Sequence, residues 1–296
     1  MHFCVIKSKT LKISLVFILV AVLLTISFNG STSAQVFFGY NTKQLPIYAV
    51  ETSEKKVAIS FDAAWGADKT QEIINILKEY NATATFFLVG FWVDKYPEMV
   101  KAIDDAGLEI GCHSNTHPDL TNLSLTQIKE EIETANNRIK EITQKEVKLF
   151  RCPFGAYNNT VINAVTELNM QAIQWDVDSL DWQGISADEI TRRVVDNVKN
   201  GSIILCHNNS DNIIPALTMV LERLTMQGYK ICSIGELIYY ENFTIDRNGL
   251  QSQNQQSVDD NGSGMANEQN KQEDIDGGND DNKNNNVQHL DKKPIT

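Results

Sequence analysis

Between Val36 and Thr244, short β-prone runs alternate with stretches whose apolar residues recur every three or four positions. The β-prone runs are Val57 to Phe61, Thr83 to Leu88, Glu109 to Cys112, Lys148 to Phe150, Ala172 to Trp175, Ser202 to Leu205 and Lys230 to Cys232. The intervening pattern predicts helices. Ile73, Ile74, Ile76 and Leu77 follow a start signal at Asp68, and Val100 and Ile103 precede a stop at Gly107. Ile128, Ile132, Ile139 and Ile142 follow Ser124, a good N-cap residue, and further helices are expected over 158–168, 186–198 and 213–226. Alternation of this kind makes an α/β fold with a parallel sheet, and seven strand-helix units in a row suggest a closed or nearly closed barrel. A doubly wound open sheet is the alternative. No linker or internal repeat interrupts the span, which is expected to be one domain over 35–246.

The two ends of the chain have a different character. Lys7, Lys9 and Lys12 precede a charge-free run from Ile13 to Phe28 and then small residues to Ala34. This is the layout of an export signal cleaved near Ala34, or of an uncleaved membrane anchor, occupying 1–34. Residues 247–296 are rich in Asn, Gln, Asp, Gly and Ser and are expected to form a disordered acidic tail, because they cannot bury enough apolar surface to offset their ordering entropy. The net charge of -12 argues against nucleic acid, whose phosphates demand clustered Lys and Arg.

In a parallel β/α barrel the site gathers where strands end and the following loops begin. Here those positions carry Asp62, then His113 with His117 four residues on, Arg151, Asp178 and Asp181, and His207. Each has a bland reading: Asp62 as a cap, Arg151 as a structural ion pair, His207 as a satisfied core histidine, and the two other histidines as too few for a metal site. Their common position at one end of their strands favours a site of hydrolytic chemistry. Cys112, Cys152, Cys206 and Cys232 could form two disulfides but have no zinc-module spacing. Three of them neighbour His113, Arg151 and His207, so alternation along a strand turns them away from the site, to pack as small apolar groups.

Five segments, in order, resemble the polysaccharide deacetylases of carbohydrate esterase family four, with the NodB-type domain. They are Ile59-Ser60-Phe61-Asp62, His113-Ser114-Asn115-Thr116-His117, Arg151-Cys152-Pro153-Phe154-Gly155-Ala156-Tyr157, Asp178-Ser179-Leu180-Asp181-Trp182 and Leu205-Cys206-His207. The resemblance covers Val57 to Leu237 and implies a distorted (β/α)7 barrel that removes acetyl groups from N-acetylated sugars. It makes Asp62 the base that takes a proton from water, oriented by Arg151, and His207 the acid, oriented by Asp181. It also implies that His113 and His117 hold a divalent metal, commonly zinc, that a backbone N–H near Tyr157 binds the oxyanion, and that Trp182 and Leu205 line the acetyl pocket.

One position departs from the pattern. The family's third metal ligand is a second aspartate directly after the first, and here it is Ala63; the sequence Ala63-Ala64-Trp65-Gly66 resembles the sporulation-type, PdaB-like branch. Asp62 itself, water or Asp178 would have to complete a metal shell, or the site is metal-poor. The expected function is an exported N-deacetylase acting on peptidoglycan or a related glycan, as a monomer that meets the membrane only through its N-terminal segment. A catalytically silent glycan-binding protein of the same fold is the alternative. A glycoside hydrolase using Asp62 and Asp181 leaves Arg151 and the paired histidines unexplained.

Overall fold

The computed structural model describes residues 15–18 and 43–254. The N-terminal apolar segment expected to direct export, apart from Leu15 to Ile18, and the polar tail from residue 255 lie outside the described residues. No described helix is long and apolar enough to cross a membrane.

The chain alternates as its periodicity predicts. β1 (Ala49–Val50) and β2 (Lys56–Ala63) are followed by α1 (Thr70–Glu79), β3 (Thr85–Leu88), α2 (Gly90–Lys95), α3 (Pro97–Asp105) and β4 (Glu109–Cys112). Next come α4 (Leu125–Thr143), β5 (Leu149–Phe150), α5 (Asn159–Glu167), β6 (Gln171–Ala172) and β7 (Val177–Asp178). α6 (Ala187–Val195), β8 (Ile203–His207), α7 (Ile213–Met226), β9 (Lys230–Cys232), α8 (Ile234–Leu237), β10 (Phe243–Ile245) and β11 (Leu250–Gln253) complete it. Helix starts are chemically marked: Ser124 makes a full capping box with Gln127, and Asn158, Ser186 and Ser233 each accept a backbone N–H at the start of their helices.

The main sheet is wholly parallel, in the order β6-β5-β4-β3-β2-β8-β7, with β9 paired to the first residues of β2. It curls into a half-barrel without direct pairing of β6 to β7. The segment around β1 bridges the two sides, since Ile47 pairs with Ile173 and Ala49 with Ser202. The expected strand Ala172 to Trp175 is shortened to β6, with Ile173 bridging to Ile47, and a separate short strand, β7, follows it. The break follows from Asp176, whose carboxylate accepts Ser202 Oγ and the Ile203 N–H, turning the chain from one side of the curl to the other.

Two apolar cores flank the sheet. The larger joins the helices to its outer face and includes Phe61, Phe86, Cys112, Phe150, Cys152 and Cys206. The smaller, with Ala58, Phe87, Leu149, Ile173 and Ile203, fills the inside of the curl and is closed below by Ile234 and Leu237 of α8. All four described cysteines are free and buried; Cys112, Cys152 and Cys206 pack in the larger core, as their alternation with site residues requires, and burial pushes the thiols of Cys112 and Cys152 up to about 12. Gly111 matters to this packing, because a Cβ there would lie 2.5 Å from the Phe87 ring.

The folded unit runs further than its composition suggests. The tail expected from 247 onward begins instead with a hairpin: β10 and β11 pair antiparallel, and β11 pairs parallel with β1. Asp246 makes the turn by accepting the N–H groups of Asn248 and Leu250, while buried Gln251 exchanges two hydrogen bonds with the Tyr239 backbone. Polar residues are satisfied here by backbone partners, which a reading based on apolar content misses. A chain ended at Ile245 loses these bonds and is predicted to melt about 5 °C or more below a chain ended at Asn254, from roughly 1 kcal/mol per hydrogen bond. Equal melting temperatures by circular dichroism would show that the hairpin contributes nothing.

Candidate active site

The C-terminal ends of the parallel strands bring the polar candidates together. Asp62 on β2 and His207 on β8 are direct neighbours in register, so their side chains leave the sheet on the same face. Arg151 follows β5 and His113 follows β4, on the same inner side. Trp182, Tyr157 and His117 lie in the loops beyond.

Arg151 is the anchor. Its side chain is fully buried, with the guanidinium 4.1 Å from the centre of the Phe87 ring and 5.6 Å from that of Trp175. One terminal nitrogen donates to Asp62 Oδ1 at 2.8 Å and to Ser60 Oγ at 2.9 Å; the other donates to the Gln174 carbonyl at 3.2 Å. Ser60 Oγ donates to the Ile204 carbonyl, and the Gln174 amide donates to the Gly155 carbonyl, tying the loop after β5 to the same network. Gln174 and Trp175 are therefore site residues outside every motif, and Ser60 and Phe87 gain roles here that the sequence had not assigned them.

Burial alone would raise the Asp62 carboxyl, but Arg151, with smaller help from His113 and His207, holds it below the ordinary aspartate range. Its second oxygen, Oδ2, lies 3.6 Å from His113 Nε2. Burial pushes His113 down, so it is neutral near pH 7, and its Nδ1 donates to the Arg151 carbonyl at 2.8 Å. That tautomer leaves Nε2 as a lone pair facing Asp62.

On the other side, Asp181 is buried and binds His207 twice, through Nδ1 at 2.7 Å and the backbone N–H at 2.8 Å. Burial opposes the charge of the imidazole, but the Asp181 hydrogen bond and charge outweigh it and raise the His207 pKa above the usual value. Asp181 is fixed in turn by Ser210, which donates to its carbonyl, and by Ser179, which accepts its N–H. Asp178 is spent on the turn, accepting the Leu180 N–H at 2.9 Å.

His117 is held differently. Its N–H donates to Ser114 Oγ, and the loop behind it is clamped by Glu131 of α4, which accepts from the N–H groups of Asn115 and Thr116 and from Thr116 Oγ1. Burial, then His113, lower the His117 pKa to about 4. Its ring packs edge-on against His113, Trp65 and Phe154. His117 and Phe154 both have left-handed backbones, with φ of 58° and 60°; such residues cost about 1–3 kcal/mol each and cluster at ligand-binding sites.

Of the remaining candidates, Leu205 is buried beside Ser60, its partner in register, and Trp182 is exposed next to Asp181. The Tyr157 side chain is turned away from the cluster: its hydroxyl shares a hydrogen bond of 3.1 Å with Tyr48, and Lys43 lies over its ring.

The residues present do not fit the zinc centre that the motif pattern implies. Asp62 Oδ2 and His113 Nε2 converge, but no cluster of three or more His, Cys, Asp or Glu side chains able to hold a metal exists among the described residues. A catalytic zinc site uses three protein ligands, and the position of the third is Ala63, buried and apolar.

The polysaccharide deacetylase family model matches residues 49–173. The chain is 33% identical over 208 residues to a peptidoglycan-N-acetylglucosamine deacetylase of Bacillus cereus, covering 69% of this chain and 95% of that one. It is 32% identical to the uncharacterized protein YlxY of Bacillus subtilis, of which it spans 60% while 65% of this chain is covered. Among solved structures it resembles a CE4 family pseudoenzyme from Bacillus anthracis, at 34% identity and a TM-score of 0.64, over 66% of this chain and 69% of that one. A mutant of that pseudoenzyme with restored enzymatic activity matches equally well, at 35% identity and a TM-score of 0.64, over 66% and 72% of the two chains. This chain belongs to the polysaccharide deacetylase family, with the curled parallel sheet that its solved relatives share.

Removing Arg151 leaves a buried carboxylate without its cation. Arg151→Ala is predicted to lose about 3–5 kcal/mol of stability at pH 7, measured by urea unfolding. Because the Asp62 pKa is lowered on folding, its contribution is present above the unfolded aspartate value, about 3.9, and is lost as pH falls through the folded value. The deficit should therefore shrink toward pH 3. A deficit below about 1 kcal/mol at pH 7 would show that the pair does not hold the site together.

Proposed function

We propose that this protein is an N-deacetylase that hydrolyses the acetamide of amino sugars in peptidoglycan. The observation that carries this reading is the placement of Asp62, whose ionised form Arg151 favours, next in register to His207, whose protonated form Asp181 favours. Amide hydrolysis needs such a pair: one group to take a proton from the attacking water and another to give one to the departing amine.

In this reading Asp62 Oδ2, left free by Arg151, accepts the proton as water oxygen bonds to the acetyl carbon. The carbonyl oxygen becomes an oxyanion. Gly155 and Ala156 use their N–H groups within the turn after Arg151, so the N–H groups of Phe154 and Tyr157 are the donors the turn offers to that oxygen. His207 then protonates the sugar nitrogen, the C–N bond breaks, and acetate and a free amine leave. The N-terminal apolar segment supports export to the wall, where peptidoglycan is the abundant N-acetylated glycan, and the PdaB-like motif variant supports a role in sporulation. The relatives named as peptidoglycan deacetylases support the substrate class.

A second reading has its own observation. Ala63 removes a metal-ligand position, and a similar chain is described as a pseudoenzyme; on that basis the groove binds N-acetylated glycan without hydrolysing it. Acetate release from peptidoglycan separates the two. Asp62→Asn and His207→Ala are each predicted to slow release about 100-fold or more. Release by either variant at the wild-type rate would refute the assigned roles, and a wild type that binds glycan without releasing acetate selects the second reading.

The pH profile follows from the shifts. His207 acts while protonated and its pKa is raised, so the alkaline limb of kcat/KM is predicted to lie above the ordinary histidine value of about 6.5. Asp181→Asn removes the raising group and should move that limb to lower pH. An unmoved limb would assign the titration to another group.

A further inference from the structure

Three large aromatic side chains are exposed at the mouth of the site: Trp65 at 64%, Phe154 at 70% and Trp182 at 61%. Exposed aromatics are usually scattered, and a group of them at one groove marks a contact surface. Two of these form a continuous assembly. The Trp65 ring lies 5.0 Å from that of His117, which lies 4.6 Å from that of Phe154, and Phe91 backs Trp65 at 6.3 Å.

The assembly is built to stay in place. Trp65 is followed by Gly66, whose φ of +69° makes the turn. The Gly66 carbonyl accepts from the buried indole of Trp92 at 2.6 Å and from buried Asn208 at 3.0 Å. Asn208 also donates to Thr70 Oγ1, joining the turn to α1. Phe154 is presented by its left-handed backbone, within a turn held by Gln174. Two loops, after β2 and after β5, thus hold wide apolar rings toward solvent with buried hydrogen bonds behind them. Nothing in the folding of the domain requires those rings to be exposed.

From this geometry we infer that Trp65 and Phe154, both packed on His117, form an aromatic platform that stacks against a pyranose ring of the glycan chain. The inference rests on the reading above for its ligand class, an N-acetylated glycan. A pyranose presents a flat C–H face flanked by hydroxyls, which suits a rigid aromatic surface at the edge of a polar groove. The platform is continuous with the site through His113, which touches both His117 and Asp62. A ring stacked there belongs to the same chain as the sugar whose acetamide faces Asp62.

Calorimetric titration of the full-length chain with the β-1,4-linked tetramer of N-acetylglucosamine tests this. Trp65→Ala and Phe154→Ala are each predicted to raise Kd about 5- to 10-fold, with Trp65→Phe restoring most of the affinity. Both residues are exposed, so the melting temperatures should stay at the wild-type value. If the double variant binds the tetramer within twofold of wild type, or if wild type does not bind it at all, the platform is refuted. Loss of binding in the variants, with no acetate released by wild type, would uphold the platform while refuting the deacetylase reading. Where acetate is released, Trp65→Ala should raise KM with kcat nearly unchanged, because stacking at a ring away from the reacting atoms is felt equally in ground and transition states.

Discussion

A guanidinium with no exposed surface must be matched by its surroundings, and much of the inner end of this sheet is arranged to match Arg151. Phe87 lies beneath it, Ser60 and Gln174 accept its protons, and Asp62 supplies the opposing charge. Gly111 leaves room for the Phe87 ring. Through Gln174 and Gly155 the same network sets the turn that presents Phe154, and through its own carbonyl Arg151 fixes the tautomer of His113. One buried charge therefore orients a carboxylate, an imidazole and a loop at once. Such a pair is weak evidence for stability, since apolar residues of the same volume could replace it; its value is the geometry it imposes.

A second carboxylate-cation pair faces it. Asp181 spends both oxygens on His207, which fixes the imidazole by its ring and its backbone together. The two pairs have opposite electrostatic outcomes: a cation favours the ionised form of Asp62, and an anion favours the protonated form of His207. A base and an acid kept apart in this way are what hydrolysis of an amide requires. The metal that family members use is a separate matter, and there the chain departs from the pattern at a single buried methyl group, Ala63.

Much of this was legible in the sequence. The end of a parallel strand is fixed by where its apolar run stops, so Asp62, His113, Arg151 and His207 could be placed on one rim before any coordinates. The displacement of Cys112, Cys152 and Cys206 to the other face followed from the same period of two. Partners set by reach across the fold were hidden: Ser60 and Gln174 matter only because the Arg151 side chain extends to them, across separations of 91 and 23 residues. Glu131 and Asn208 look like ordinary surface polar residues in the sequence, yet they clamp the loops that carry His117 and Trp65. Tyr157 was named for a backbone N–H near it; that its hydroxyl meets Tyr48, 109 residues away, could not be read from the motif. The strand β11 was missed because its stability comes from backbone pairing and buried Gln251, and polar composition does not register either.

The account's central claim is that two carboxylate-cation pairs are assembled here without a three-ligand metal centre. Titration of the metal-stripped protein with zinc in a calorimeter, for wild type and Ala63→Asp, tests it most directly. The account predicts no stoichiometric site in wild type at micromolar zinc and one equivalent bound by Ala63→Asp, which restores the aspartate of the family pattern. One equivalent bound tightly by wild type, with no gain from Ala63→Asp, would contradict it.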